Sequence, residues 1–181
     1  DSIVESIPGR DEKFHVHLSN SAGLLDYHSR TTNLVRPGLL IYGISPLPAH
    51  QEFLRPVMTF KSRVSVINHL PKGHGVSYGR TILERDTKAA ILGLGYGDGY
   101  PRSLSGKGTS VVLNNSLCPL LGRVTMDQII VDVTELDECH PGDEAELFGS
   151  NLLVSDLAKK AGTIPWEILT QITPRVTRVY R

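Results

Sequence analysis

A tyrosine flanked by small residues is the first group in this chain that could do proton chemistry. Gly75-Val76-Ser77-Tyr78-Gly79 leaves a ligand room to reach the phenol. A phenol, with an ordinary pKa of about 10, acts as a base where cations lower that value. A Gly-rich turn that carries a tyrosine for structural reasons has the same appearance. Gly93-Leu94-Gly95-Tyr96-Gly97-Asp98-Gly99-Tyr100-Pro101-Arg102 follows an apolar run. It has neither the Gly-Lys-Ser/Thr ending of a phosphate loop nor the helix that follows a dinucleotide-binding loop. Its tyrosines, Asp98 and Arg102 suit the wall of a polar ligand site, or a twisted β corner. Gly122-Arg123-Val124-Thr125-Met126-Asp127-Gln128 places two charges around a Met within an otherwise apolar stretch. Buried charge needs a partner, so Arg123 and Asp127 are expected in ion pairs, of a site or of the framework alone.

A second set lies near the start. Asn20-Ser21 follows Phe14-His15-Val16-His17-Leu18, which reads as a strand, and a short helix is expected over Ala22 to Tyr27. Leu34-Val35 and Leu39-Leu40-Ile41-Tyr42 read as a second buried strand, opened by Arg36-Pro37-Gly38. Strand, helix and strand in that order are a βαβ unit of a parallel sheet, whose strand C-termini bind ligands. The Ser21 hydroxyl with the Gly38 and Leu39 amides would make a phosphate cradle; a capping Ser and a turn Gly is the plainer alternative. One such unit cannot close a barrel, so residues 1–44 read as the edge of something larger.

Ser45 to Pro56 contains Pro46, Pro48 and Pro56 and reads as a stiff connector. Beyond it, Val57 to Ile67, Ala89 to Leu94, Ser110 to Leu113, Ile129 to Val133 and Glu144 to Phe148 are β-type runs. Turn signals at Pro71-Lys72-Gly73, Asn114-Asn115 and Pro141-Gly142-Asp143 separate them, which predicts an antiparallel barrel or sandwich. A helix is expected from a Ser155 cap to Gly162, another from Pro165, and a closing strand over Arg175 to Tyr180.

The 181 residues balance 19 Lys+Arg against 19 Asp+Glu, so no excess cation is available for nucleic acid or an anionic membrane. With 40% hydrophobic and 21% charged residues the composition is globular. No apolar run approaches the roughly 20 residues that span a bilayer. Cys118 and Cys139 are too few for a disulfide framework and lack metal-ligand spacing, so reduced thiols, no metal and a cytoplasmic location are expected.

Together and in this order the motifs resemble alanine racemase, over nearly the whole chain. They are Asn20-Ser21, Val35 to Gly43, Val76 to Gly79, Gly95 to Arg102, Gly122 to Gln128 and the ending Arg175-Val176-Thr177-Arg178-Val179-Tyr180. The resemblance implies an α/β remnant, the last part of a (β/α)8 barrel, over residues 1–44. A mainly antiparallel β-barrel domain, the family's C-terminal β domain, would then occupy 45–181. It implies pyridoxal 5′-phosphate as cofactor, bound as a Schiff base with a lysine. No lysine here matches that position; Lys13 and Lys61 are nearest and read as solvated strand ends. Ser21, Gly38 and Leu39 would hold the phosphate, and Arg36 would face the pyridine nitrogen.

Tyr78 would be one of two bases for the interconversion of L- and D-alanine, which supplies cell-wall precursors. Tyr96 and Met126 would line the substrate, while Arg102, Arg123 and Asp127 would line its access path. The resemblance further implies a head-to-tail homodimer acting on a small amino acid, with no nucleic-acid or membrane partner. The chain would be a portion of a longer enzyme and inactive by itself. Pro174 stands where many relatives carry a Tyr before the final Arg-Val, which removes a hydroxyl near the phosphate. A serine-preferring racemase, and a β-barrel binding module without catalysis, are the other readings.

Overall fold

Alternating and apolar runs in the C-terminal two-thirds of the chain form strands that close on themselves. The computed structural model describes residues 2–9 and 14–180; Lys13 lies outside them. Strands β1 (Phe60–Leu70), β4 (Thr87–Leu92), β5 (Ser110–Leu113), β6 (Ser116–Leu121), β7 (Ile129–Asp132) and β8 (Glu144–Phe148) make a closed barrel ordered β1-β4-β7-β6-β5-β8. All its pairings are antiparallel. Closure satisfies both edges of every strand, which removes the exposed edge that an open sheet must protect. Phe60 pairs with Phe148 where β1 meets β8, and their rings pack at 5.5 Å. Leu92, Val111, Leu113, Ile129, Val131 and Leu147 are fully buried, each contributing about 1.5–3 kcal/mol by leaving water.

Asn114 and Asn115 turn β5 into β6 with φ of 49° and 60°, the left-handed pair that a two-residue hairpin requires and that Asn tolerates. β6 escapes the sequence reading because Pro119 interrupts its apolar run. Helix α3 (Val154–Ala161) buries Val154, Leu157 and Ala158 at helical spacing and ends at Gly162, φ 76°. It starts one residue before the expected Ser155 cap; Leu153 is the N-cap, and Val154 is drawn in by its burial. Helix α4 (Pro165–Gln171) opens on Pro165 as expected. Residues 175–180 form no strand, since the closed barrel offers no edge to pair with. Instead Arg178 donates to the carbonyls of Ile172, Thr173 and Val176 at 2.8–3.0 Å.

The chain divides into two compact units, the first ending at Met58 and the second beginning at Thr59. The first contains helix α1 (Ser2–Glu5), helix α2 (Ser21–Asp26) and 3-10 turns at Leu39–Tyr42 and Pro48–Phe53. The expected strands at 14–18 and 34–42 do not form. Among the described residues the two segments meet through one parallel bridge, Asn20 to Arg36, and through Asn33, Leu34 and Arg36 N–H donating to Val16 O and Ser19 O. Asn33 substitutes for a neighbouring strand: its Oδ1 accepts from Val16 N–H at 2.8 Å and its Nδ2 donates to Phe14 O at 2.9 Å. Gly43 (φ 70°) stops the 3-10 turn; a Cβ there would lie 1.6 Å from Arg55 O. No helix among the described residues is long and apolar enough to cross a membrane.

Candidate active site

Tyr78 sits at the tip of a short hairpin. Strand β2 (Gly75–Val76) pairs with β3 (Thr81–Ile82), and Ser77, Gly79 and Arg80 take positive φ values of 58°, 82° and 48° to turn the chain. The Tyr78 side chain is 72% exposed, and its hydroxyl has no partner among the described residues. Ser77 Oγ donates to Arg123 O at 2.8 Å and accepts from Arg123 N–H at 3.2 Å. The hairpin is thereby tied to the 122–128 loop.

That loop is tied in turn to the Gly-rich segment. Tyr96 N–H donates to Thr125 O at 3.0 Å and Gly97 N–H to Met126 O at 2.9 Å. A Cβ on Gly95 would lie 2.1 Å from Thr125 O, so only glycine permits this approach. Thr125 and Gln128 bond to each other through backbone and hydroxyl, which holds Met126 and Asp127 at the loop tip. Met126 is exposed, and its N–H donates to no acceptor among the described residues. Arg102 opens a 3-10 turn (Arg102–Leu104) anchored by fully buried Leu104. Ser105 Oγ, which donates to Arg102 O, also accepts from Val124 N–H at 3.0 Å.

The three tyrosines of these segments part company. Tyr78 and Tyr96 are exposed, whereas Tyr100 is in the core with its hydroxyl unpaired among the described residues. Burial pushes the Tyr100 phenol above its ordinary range.

The expected burial of Arg123 and Asp127 is corrected, and of the two expected ion pairs only that of Asp127 forms among the described residues. Both are exposed. Arg123 makes no ion pair among the described residues, and its guanidinium instead lies over Gly79, 2.9 Å from where a Cβ would stand. Asp127 pairs with Arg175 at 2.7 Å, and Arg175 Nε also lies 3.3 Å from Asp98 Oδ1. The Asp127 hydrogen bond, then the Asp98 charge, raise the Arg175 pKa above its ordinary value. Arg175 therefore clamps the Tyr96 segment to the Met126 loop. Read as the start of a strand, it gave no sign of this role; only its position after Pro174, at the turn out of α4, brings it there.

In the first unit, Asn20 Oδ1 caps α2 by accepting from Gly23 N–H. Ser21, buried at the first helical position, accepts from Gly38 N–H at 2.9 Å. Its own hydroxyl hydrogen has no acceptor among the described residues. Leu39 opens its 3-10 turn, where an N–H has no intrahelical partner. Arg36 is exposed, donates to Leu18 O at 3.3 Å and carries the parallel bridge to Asn20.

Residues 57–180 match the family model described as the alanine racemase C-terminal domain. The chain belongs to the alanine racemase family. Residues 1–46 match the model of the alanine racemase N-terminal domain. The alanine racemase of Methylacidiphilum infernorum is 42% identical over 171 residues, covering 92% of this chain and 44% of that protein. That of Vibrio vulnificus is 42% identical over 167 residues, 90% of this chain and 46% of its own. Among solved structures, alanine racemase from a D-cycloserine-producing Streptomyces lavendulae superposes with a TM-score of 0.84 at 40% identity, covering 91% and 45%. A Clostridium difficile alanine racemase in complex with cycloserine superposes at 0.82 and 34% identity, covering 88% and 44%. The chain thus spans a little under half the length of the alanine racemases it matches. Its architecture is that of the family's parts, the remnant of a barrel followed by a β domain.

Proposed function

We propose that the protein interconverts L- and D-alanine with pyridoxal 5′-phosphate, by proton transfer on opposite faces of the α-carbon, and so supplies cell-wall precursors. The observation that carries this is the exposed Tyr78 phenol, on a hairpin bonded to the loop that offers the free Met126 N–H. Racemisation needs a base on one face and an acid on the other. Tyr78 Oη holds or takes the proton on its face; the second group lies outside these 181 residues, which by themselves should not turn over alanine.

The residues present fit the cofactor's phosphate. The free Ser21 hydroxyl hydrogen and the Leu39 N–H are donors without acceptors, and nothing but Ser21 Oγ, at 3.9 Å, stands near where a Cβ would be on Gly38. When bound, the cofactor supplies the electron-withdrawing ring that acidifies the substrate's α-hydrogen. Arg36, a permanent cation, would face the ring nitrogen and disfavour a second positive charge there. Met126 N–H would meet the substrate carboxylate and Tyr96 would wall the site. Arg102 and Arg123, unpaired with carboxylates among the described residues, would attract anions along the access path that Asp127 braces.

A cytoplasmic homodimer in which Tyr78 serves the partner's cofactor completes the proposal. The free thiols Cys118 and Cys139 suit a reducing compartment, and the exposed Ile41, Phe53 and Val57 are surface that an assembly would cover. The test is Tyr78→Phe in the full-length protein, assayed with L-alanine, D-alanine and L-serine. Loss of at least about 100-fold in kcat with cofactor absorbance intact is expected. Full activity in the variant would overturn the assignment, faster turnover of serine would make it a serine racemase, and no turnover by the parent protein would leave a binding module.

A further inference from the structure

We propose that Ser77 is the positioning residue for the Tyr78 phenol, holding it through the backbone of Arg123. This rests on the reading of Tyr78 as a proton carrier. The phenol cannot fix its own place, being largely exposed and without a hydrogen-bond partner among the described residues. The hairpin beneath it has only two residues in each strand, too few to be rigid alone.

What holds the tip is a set of contacts on both sides of Tyr78. On one side, Ser77 Oγ takes both the N–H and the C=O of Arg123, 46 positions away in sequence. These two bonds secure Ser77 in a left-handed conformation, φ 58°, that a serine seldom adopts unless its surroundings hold it. Gly122, itself at φ 67°, allows the approach; a Cβ there would stand 2.7 Å from Ser77 Cβ. On the other side, the Arg123 guanidinium rests on Gly79. One residue, Arg123, therefore grips the chain immediately before and after the tyrosine. It lies three positions before Met126, so the phenol and the Met126 N–H are set from one short piece of backbone. A proton-transfer group misplaced by about 1 Å loses on the order of 100-fold in rate.

The experiment uses Ser77→Gly in the full-length protein, because glycine keeps φ near 58° accessible while deleting the tether. Tyr78→Phe serves as reference, and the protein carries 13Cζ-labelled tyrosine. Expected are a shifted or broadened Tyr78 resonance without substrate, a kcat reduced about 10- to 100-fold in both directions, and a KM within about threefold of the parent. An unchanged resonance overturns the proposal whatever the kinetics. So does a kcat within twofold of the parent while Tyr78→Phe is inactive. If Tyr78→Phe stays active, Tyr78 is not the proton carrier, and the resonance alone then decides whether Ser77 holds it.

Discussion

Arg175 Nη2 lies 2.7 Å from Asp127 Oδ1, and the same guanidinium reaches Asp98, so a residue from the chain's last turn joins two loops that the sequence keeps about thirty positions apart. Gly97 admits this, since a Cβ there would sit 2.7 Å from Arg175 Nη1. Arg175 and Asp127 face solvent while Asp98 is largely shielded, and ion pairs with exposed partners add little to stability. Their effect is to keep Tyr96 and Met126 in register.

Arg175→Met should therefore raise KM for alanine, by about 3- to 10-fold, and hardly move the thermal midpoint. Steady-state kinetics alongside calorimetry in the full-length protein check this. A large fall in midpoint with an unchanged KM would make Arg175 a framework residue only. Moderate salt should push the parent's KM in the same direction, through screening.

Gly95→Ala should cost about 1–3 kcal/mol of stability, because its Cβ would drive Thr125 O and the Met126 backbone apart. Urea unfolding gives the number. Gly106→Ala is the control: it too has a positive φ, 69°, but open space around its Cβ, so its cost is backbone strain alone.

Asp132 sets a pH dependence. Burial raises its pKa, but hydrogen bonds from Thr134 and the Arg85 guanidinium outweigh this, and the net value is below the ordinary carboxylate range. A depressed carboxylate stabilises the fold above its unfolded pKa of about 3.9, and that stabilisation is lost as pH falls through the folded value below it. The thermal midpoint should fall as pH is lowered below about 4. Asp132→Asn should start lower at pH 7 and lose less between pH 5 and 2; parallel curves for the two proteins would contradict the assignment.

Burial, with smaller contributions from Cys139 and Asp132, pushes the Cys118 thiol up to about 11. At pH 8 roughly one thiol in a thousand is then thiolate, the reactive form. Iodoacetamide should leave Cys118 unmodified in the native protein and alkylate it in denaturant, as read by peptide mass spectrometry. Rapid native labelling would show that β6 opens.

The motifs around Tyr78, Tyr96 and Met126 were legible because glycine and charge interrupt apolar runs there. Their fastening was not: Ser77 to Arg123 spans 46 positions and Arg175 to Asp127 spans 48, and spacing carries no sign of such pairs. Asp127 was expected to pair as a buried ion, yet it faces solvent, because the apolar stretch around it bends out as a loop between β6 and β7. Residues 14–18 and 34–42 have the composition of strands, but a strand is completed by its neighbours' hydrogen bonds, and among the described residues they find a few backbone bonds and one adjoining bridge.

By itself the sequence determined the β character of the runs that form β1, β4, β5, β7 and β8, the turns at Asn114-Asn115 and Gly162, and the resemblance to the family. These rest on local preferences, which side-chain period and backbone sterics carry within a few residues. Tertiary structure alone decided that the barrel closes without residues 175–180, that Tyr100 is core while Tyr78 is exposed, and that Arg175 bridges two loops. Such outcomes depend on which distant segments meet, and excluded volume and hydrogen-bond satisfaction settle that only when the whole chain is packed.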